Sequence, residues 1–276
     1  MKKSFKNILL FLWYFLSIFI VISIVFFIII YILKKGYVVI NKDFLLGRPE
    51  GIPLGKEGGI LPAILGSLSL MLISCVVAAI LGIATAIYLS LYSKNKKINS
   101  LMHIIINSIS GIPSIVLGLF GYSFLVFFLK LGVSLLAGGI TLSIMIFPYI
   151  EISTEKALEG VDENIILSSY ALGMDKTYTL FNIILPECIE EIVSGIMLSS
   201  GFAMGATAPI MLTSAVVSAP NPNSFSSPVM ALSYHLYILI SQGISMENAY
   251  GTAFVLIAIL MILNFMAMIV VRKGRA

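Results

Sequence analysis

Charge is scarce in this 276-residue chain: 11% of it is Asp, Glu, Lys or Arg, against about a quarter in soluble domains. From 192 to 246 there is no such residue at all. Cysteine is limited to Cys75 and Cys188, too few for a disulfide framework, and both read as small apolar packing residues. The two histidines, His103 and His235, stand far apart without Cys or carboxylate neighbours at ligand spacing, so no metal site is expected. No Gly-x4-Gly-Lys-Ser/Thr motif occurs, which argues against P-loop ATP binding by this chain. Gly-x-Ser-x-Gly and His-Glu-x-x-His are also absent, and with them two common hydrolase signatures. The sequence therefore offers no catalytic residue and implies no cofactor.

Hydrophobicity is what the chain has in their place. Apolar residues make up 59% of it and the mean hydropathy is +1.06. Several runs exceed the roughly 20 residues that a helix needs to cross a bilayer. This composition describes an all-α, multi-pass membrane protein bathed in lipid, with room for about six spans and no sizeable soluble domain. The net charge is +4, but the basic residues gather at the ends of apolar runs. Topology explains them better than a nucleic-acid partner does. Lys2, Lys3 and Lys6 precede an apolar run over 8–33. That run is longer than the 7–15 residues of a signal peptide's apolar region and no small-x-small cleavage site follows, so it reads as a retained first span.

Six transmembrane helices are expected, at about 8–33, 60–92, 101–129, 133–150, 187–217 and 249–271. Residues 1–59 hold the first of them and an outer loop, and 60–276 form the core. With the N-terminus inside, the inner segments carry Lys2, Lys3, Lys6, Lys94, Lys96, Lys97, Lys156, Lys176, Arg272, Lys273 and Arg275. The outer segments carry Lys34, Lys35, Lys42, Arg48, Lys56 and Lys130. The excess places both termini in the cytoplasm. The outer segment 218–246 holds the turn cluster Pro220-Asn221-Pro222-Asn223, and a short re-entrant or interfacial helix is expected near 228–240.

Nine of the thirteen acidic residues fall between Glu151 and Glu191, a polar interruption on the cytoplasmic side of this topology. Connections between packed helices are normally short, so a loop spanning about 151–186 asks for a purpose. Asp162 suits the cap of a helix starting at Glu163, and Gly173 suits a left-handed C-terminal position. Asp175 then caps a second helix expected to stop at Leu185-Pro186. The expected product is a knob of two short helices joined by a glycine turn.

Gly173 followed by Ile183-x-Leu185-Pro186 resembles the "EAA" loop of ABC-importer permeases, which docks on an ATPase subunit. Leu167-Ser168-Ser169 stands where that family has Glu-Ala-Ala, while Tyr170-Ala171-Leu172-Gly173 keeps its pattern. The likeness extends to Gly111-Ile112-Pro113-Ser114 in the third span and Gly205-Ala206-Thr207-Ala208-Pro209 in the fifth. Gly58-Gly59-Ile60-Leu61-Pro62 and Leu81-Gly82-Ile83-Ala84-Thr85 match in the second. Across about 50–275 the chain resembles the PstA-type permeases of phosphate importers, which share the type I ABC-importer, or MetI-like, fold.

That resemblance implies a permease subunit working with a second homologous permease, an ABC ATPase dimer and an extracytoplasmic phosphate-binding protein in a prokaryotic cell membrane. It carries the docking role onto Leu167, Tyr170, Ala171, Leu172, Gly173, Asp175, Ile183, Leu185 and Pro186. It carries the translocation path onto Gly111, Pro113, Ser114, Phe202, Gly205, Ala206, Thr207 and Pro209. Family members show Arg and Glu where this chain has Phe202 and Ala206, so the path is expected to be neutral and to rely on hydroxyls such as Ser194, Ser199, Ser200, Thr207, Thr213 and Ser214. Import of another oxyanion, molybdate or sulfate, and a non-transporting regulatory partner of an ABC ATPase are the alternatives.

Overall fold

The computed structural model describes residues 2–274; Arg275 lies outside them. Fourteen elements follow in order among the described residues. A long helix α1 (Lys2–Tyr37) leads to a short α2 (Lys42–Leu46) and a two-stranded antiparallel hairpin, β1 (Pro49–Glu50) with β2 (Glu57–Gly58). Then come α3 (Leu61–Ile87), α4 (Lys96–Ser110), α5 (Ser114–Gly121) and α6 (Leu135–Glu159). Two short helices, α7 (Glu163–Ala171) and α8 (Lys176–Thr179), precede α9 (Leu185–Gly205). The chain ends with α10 (Ala208–Thr213), α11 (Leu232–Ser241) and α12 (Met246–Gly274). Wide π-type turns extend α3 over Tyr88–Tyr92 and α5 over Tyr122–Phe128, and join α8 to α9 over Leu180–Ile184.

Four helices are long and apolar enough to cross a membrane alone: α1 from Leu10, α3 to Tyr92, α6 and α12 to Ile269. The third expected span is a bent pair, α4 and α5 with its extension, turned by 97° at 111–113. Pro113 forces this break: it has no N–H to donate and clashes with the carbonyl one turn back, and the residue before it avoids the α region. The fifth expected span is α9, whose first two turns carry Glu187, Glu190 and Glu191. The fourth runs nine residues beyond its expected end, so that 151–159 is helix and not loop.

Apolar burial gains little where lipid is as apolar as leucine, and small residues let helices approach closely instead. Gly82, Gly138 and Gly139 do this along the α3–α6 seam. A Cβ on Gly82 would lie 3.2 Å from the backbone N of Glu151. One on Gly139 would lie 3.0 Å from Ile73 Cβ. Around this seam Ala78, Ile146, Ile150 and Ala203 form a fully packed layer. A cluster at one end joins Phe44, Ile60, Ala63, Met230, Leu232 and Val255. A cluster at the other joins Ala86, Ala157, Leu158, Leu180, Ile184 and Cys188. The hairpin and the two short helices α7 and α8 therefore sit at opposite ends of α3, roughly 45 Å apart at 1.5 Å per residue. Helix α1 meets α12 in its last turns, through an edge-on Tyr31–Tyr250 ring contact at 5.8 Å and the buried Gly36 against Tyr250 and Phe254, and exposes most of its apolar surface before that.

Non-helical backbone between α10 and α11 is tied to protein near both of its ends, as backbone at membrane depth must be. Val216 N donates to Val229 O and Val229 N to Ser214 O, both at 3.0 Å. Leu135 N reaches Ser227 O at 2.9 Å. The expected re-entrant helix is α11, and its first turn is satisfied from α3, where Ser67 Oγ accepts from Leu232 N at 2.8 Å.

Candidate functional site

Two regions gather the residues singled out in the sequence. The first is a helical knob at the end of α6. Asp162 Oδ1 accepts from Asn164 N at 2.9 Å and Asp175 Oδ1 from Tyr178 N at 3.0 Å, so both aspartates cap as expected. Gly173 takes φ +83° between the helices, and its N–H donates to Tyr170 O at 3.0 Å. L-residues avoid that backbone region, and no atom lies within 4 Å of where a Cβ would point, so glycine is needed here for its backbone alone.

The departure Leu167-Ser168-Ser169 has a structural consequence. Ser169 is buried and its Oγ lies 3.1 Å from Thr179 Oγ1, a hydroxyl pair that ties α7 to α8. Leu167 points outward, as do Tyr170, Ala171 and Leu172, the last 77% exposed. Tyr178 and Phe181 add exposed rings on the second arm. A cleft of about 330 Å³ between the arms is lined by Asn164, Ile165, Ser168, Leu172, Met174 and Ile183. The knob thus offers water a connected set of large apolar side chains, which is unusual unless a partner covers them.

The second arm does not stop at Leu185-Pro186. It continues as α9 without interruption. In a regular helix the ring of Pro186 would clash with the carbonyl of Asn182, and the π-type turn over Leu180–Ile184 widens the backbone where that conflict arises. The knob is consequently one piece with a spanning helix. Any force on α8 is delivered directly to α9.

The second region is the break in α9. The helix ends at Gly205, Ala206 turns to extended backbone, and α10 begins at Ala208 with Pro209 in its first turn. Ser233 Oγ of α11 donates to the freed Ala206 carbonyl at 3.0 Å. The bend at Gly111 and Pro113 meets this region through α5: a Cβ on Gly118 would lie 2.9 Å from Ala208 O and 3.0 Å from Pro209 Cα. Gly111, Pro113 and Ser114 are exposed, whereas Pro209 is buried. Phe202, 49% exposed, stacks on Tyr149 of α6 at 5.0 Å between ring centroids.

Three of the six hydroxyls expected along a neutral path are committed elsewhere, and the Ser214 hydroxyl is buried without a partner among the described residues. Ser199 and Thr213 are buried and donate to the carbonyls of Gly195 and Pro209, both at 2.8 Å, and Ser200 donates to Met197 O at 2.6 Å. Thr207 stays partly exposed at the break. Tyr149 was not legible as a site residue, because an aromatic next to a proline in an apolar run has no distinguishing spacing. The sequence places Glu151 at the start of a polar loop. The structure buries it completely.

The model of the family described as "Binding-protein-dependent transport system inner membrane component" matches residues 78–273. The "Phosphate transport system permease protein PstA 2" of Mycobacterium bovis is 33% identical over 219 residues, covering 78% of this chain and 72% of that protein. The "Probable ABC transporter permease protein YqgI" of Bacillus subtilis is 25% identical over 252 residues, covering 86% and 85%. Among solved structures, the inward-facing MetNI methionine ABC transporter superposes with a TM-score of 0.66 at 17% identity, over 78% of this chain and 95% of that one. At that identity the likeness is one of fold.

Proposed function

The chain belongs to the family of binding-protein-dependent transport system inner membrane components, and on that premise we propose that it is the PstA-type permease subunit of an ATP-driven phosphate importer. Names of relatives from several organisms favour phosphate over molybdate or sulfate. One observation carries the mechanism: the exposed apolar knob is continuous with α9 through the widened turn before Pro186. An ABC ATPase dimer grips the knob from the cytoplasm, and its closure on ATP rocks α9, and α6 packed beside it, against a second homologous permease. Leu167, Tyr170, Ala171, Leu172, Ile183, Leu185 and Pro186 form or frame the grip, while Gly173 and Asp175 hold its shape. With Leu167 where the resembled loop pattern has glutamate, the contact is apolar and does not depend on an ion pair.

The path opens at the two helix breaks, Gly111–Ser114 and Gly205–Pro209, beside the Tyr149–Phe202 stack. It presents no fixed charge to an anion, so selectivity rests with the extracytoplasmic phosphate-binding protein. Both termini lie in the cytoplasm of a prokaryotic cell. The knob at 160–184 serves the ATPase, and the hairpin side faces the binding protein.

The test is co-purification with an ABC ATPase subunit co-expressed with this chain, together with phosphate uptake in cells lacking other importers. Leu172→Asp should leave the fold intact, since the side chain is exposed. It should weaken ATPase capture and uptake together by about tenfold, equivalent to about 1.4 kcal/mol of lost contact. Capture and uptake at parental levels would rule out this grip.

A further inference from the structure

We propose that Glu151 is a proton-binding site inside the helix bundle, loaded from the knob end of the molecule through Glu155 and His103. The assignment rests on placement and owes nothing to the importer reading above. Glu151 is 0% exposed, and neither carboxyl oxygen has a hydrogen-bond partner among the described residues. No basic side chain lies within ion-pair reach of it among them. An ionised carboxylate in such a place would keep its full desolvation penalty with nothing to offset it. The group that fits is the neutral acid, one O–H and one C=O, with Thr154 Oγ1 three residues on, buried and likewise unpartnered.

The seam is shaped to keep this carboxyl dry. Gly82 of α3 lies against the Glu151 backbone and the Ile150 side chain of α6, where a Cβ would come to 3.2 Å from Glu151 N and from Ile150 Cγ2. Charged and titratable groups on the packed elements are few. Helix α3 contributes only Cys75, while α5 and α10 contribute none; α9 brings Cys188 and its three glutamates, Glu187, Glu190 and Glu191. Helix α4 brings His103, with Lys96 and Lys97 at its start, and the turn after α3 brings Tyr88 and Tyr92.

A graded route leads outward from Glu151. Glu155 is one turn along the same face of α6, a spacing of about 5–6 Å between Cβ atoms, and its side chain is 14% exposed. His103 Nε2 lies 3.5 Å from Glu155 Oε1 and its side chain is 41% exposed. Solvent thus meets the imidazole first, the mostly covered carboxylate next and the sealed one last. Loading moves one proton and no electrons. An N–H of the His103 imidazolium breaks as Glu155 takes the proton, and Glu155 then releases it to the Glu151 carboxylate. Separation of α3 from α6 at Gly82 would wet Glu151 and reverse the transfer, so the proton reports on, and resists, opening of the seam.

Infrared difference spectra across a pH step, recorded on the full chain in its membrane complex, test this directly. The parent should show the carbonyl stretch of a protonated carboxyl at neutral pH. Glu151→Gln should lose that band, and Glu151→Asp should shift it while preserving the acid. Glu155→Gln and His103→Gln should keep the band but slow its hydrogen–deuterium exchange several-fold. Absence of the band in the parent, or its survival in both Glu151 variants, overturns the site. Exchange at the parental rate in the Glu155 and His103 variants overturns the route. Should Glu151→Gln fail to fold, the shift in Glu151→Asp decides the matter alone.

Discussion

At the scale of single residues, the caps and turns of the knob follow directly from the local sequence. Asp162, Gly173 and Asp175 each do what their chemistry predicts, because capping is local and needs only neighbours in sequence. From this follows a selective prediction. Forcing a side chain into the left-handed region costs about 1–2 kcal/mol for ordinary L-residues, less for asparagine. Gly173→Val should distort the turn and reduce ATPase co-purification severalfold while membrane yield stays parental. Gly173→Asn should retain most of the capture. Equal behaviour of the two variants would show that the turn geometry does not matter. Glu151 illustrates the opposite limit. The sequence places it at the start of a polar loop, because nine of the thirteen acidic residues fall between Glu151 and Glu191. Its burial depends on helix packing that sequence does not show, such as the close approach of Gly82, sixty-nine residues earlier, to the Glu151 backbone.

At the scale of elements, the apolar runs were legible and the joints between them were not. Length and hydropathy specify α1, α3, α6 and α12, since a spanning helix must satisfy its own backbone. Proline marked both breaks but misled at Pro186, where a wide turn lets the helix pass through. Whether a proline bends, breaks or is absorbed depends on which neighbour can donate to the freed carbonyl, as Ser233 does to that of Ala206. The meeting of α5 with α10 was invisible in the sequence, and it makes a sharp contrast between two glycines. A Cβ on Gly118 would press on the backbone of Ala208 and Pro209, whereas one on Gly205 meets open space. Gly118→Ala should lower stability by about 1–3 kcal/mol, the usual cost of overpacking. Gly205→Ala should be neutral or stabilising by up to about 1 kcal/mol. Thermal unfolding in detergent, followed by the loss of monodisperse protein, separates these outcomes; equal losses would contradict the close α5–α10 approach.

At the scale of the whole molecule, orientation is the claim on which the ATPase partnership depends. Lysine and arginine counts favour a cytoplasmic knob, although the outer loop 34–59 carries five of them. That loop also holds Asp43, Glu50 and Glu57, and mixed charge of this kind weakens a topological signal only slightly, because acidic residues contribute little to the rule. The fold adds an independent constraint. The hairpin packs at the start of α3 and the knob at its far end, so the two must emerge on opposite faces of any bilayer that α3 crosses. One label on each therefore settles both. In a background with Cys75 and Cys188 replaced, a cysteine at the exposed Lys56 should react with an impermeant thiol reagent in intact cells. A cysteine at the exposed Asp175 should react only after the membrane is opened. Labelling of both positions from outside would contradict the span of α3 itself. Labelling of Asp175→Cys alone would invert the molecule and remove the knob from any cytoplasmic ATPase, while leaving the helix packing, the break in α9 and the buried Glu151 as they stand.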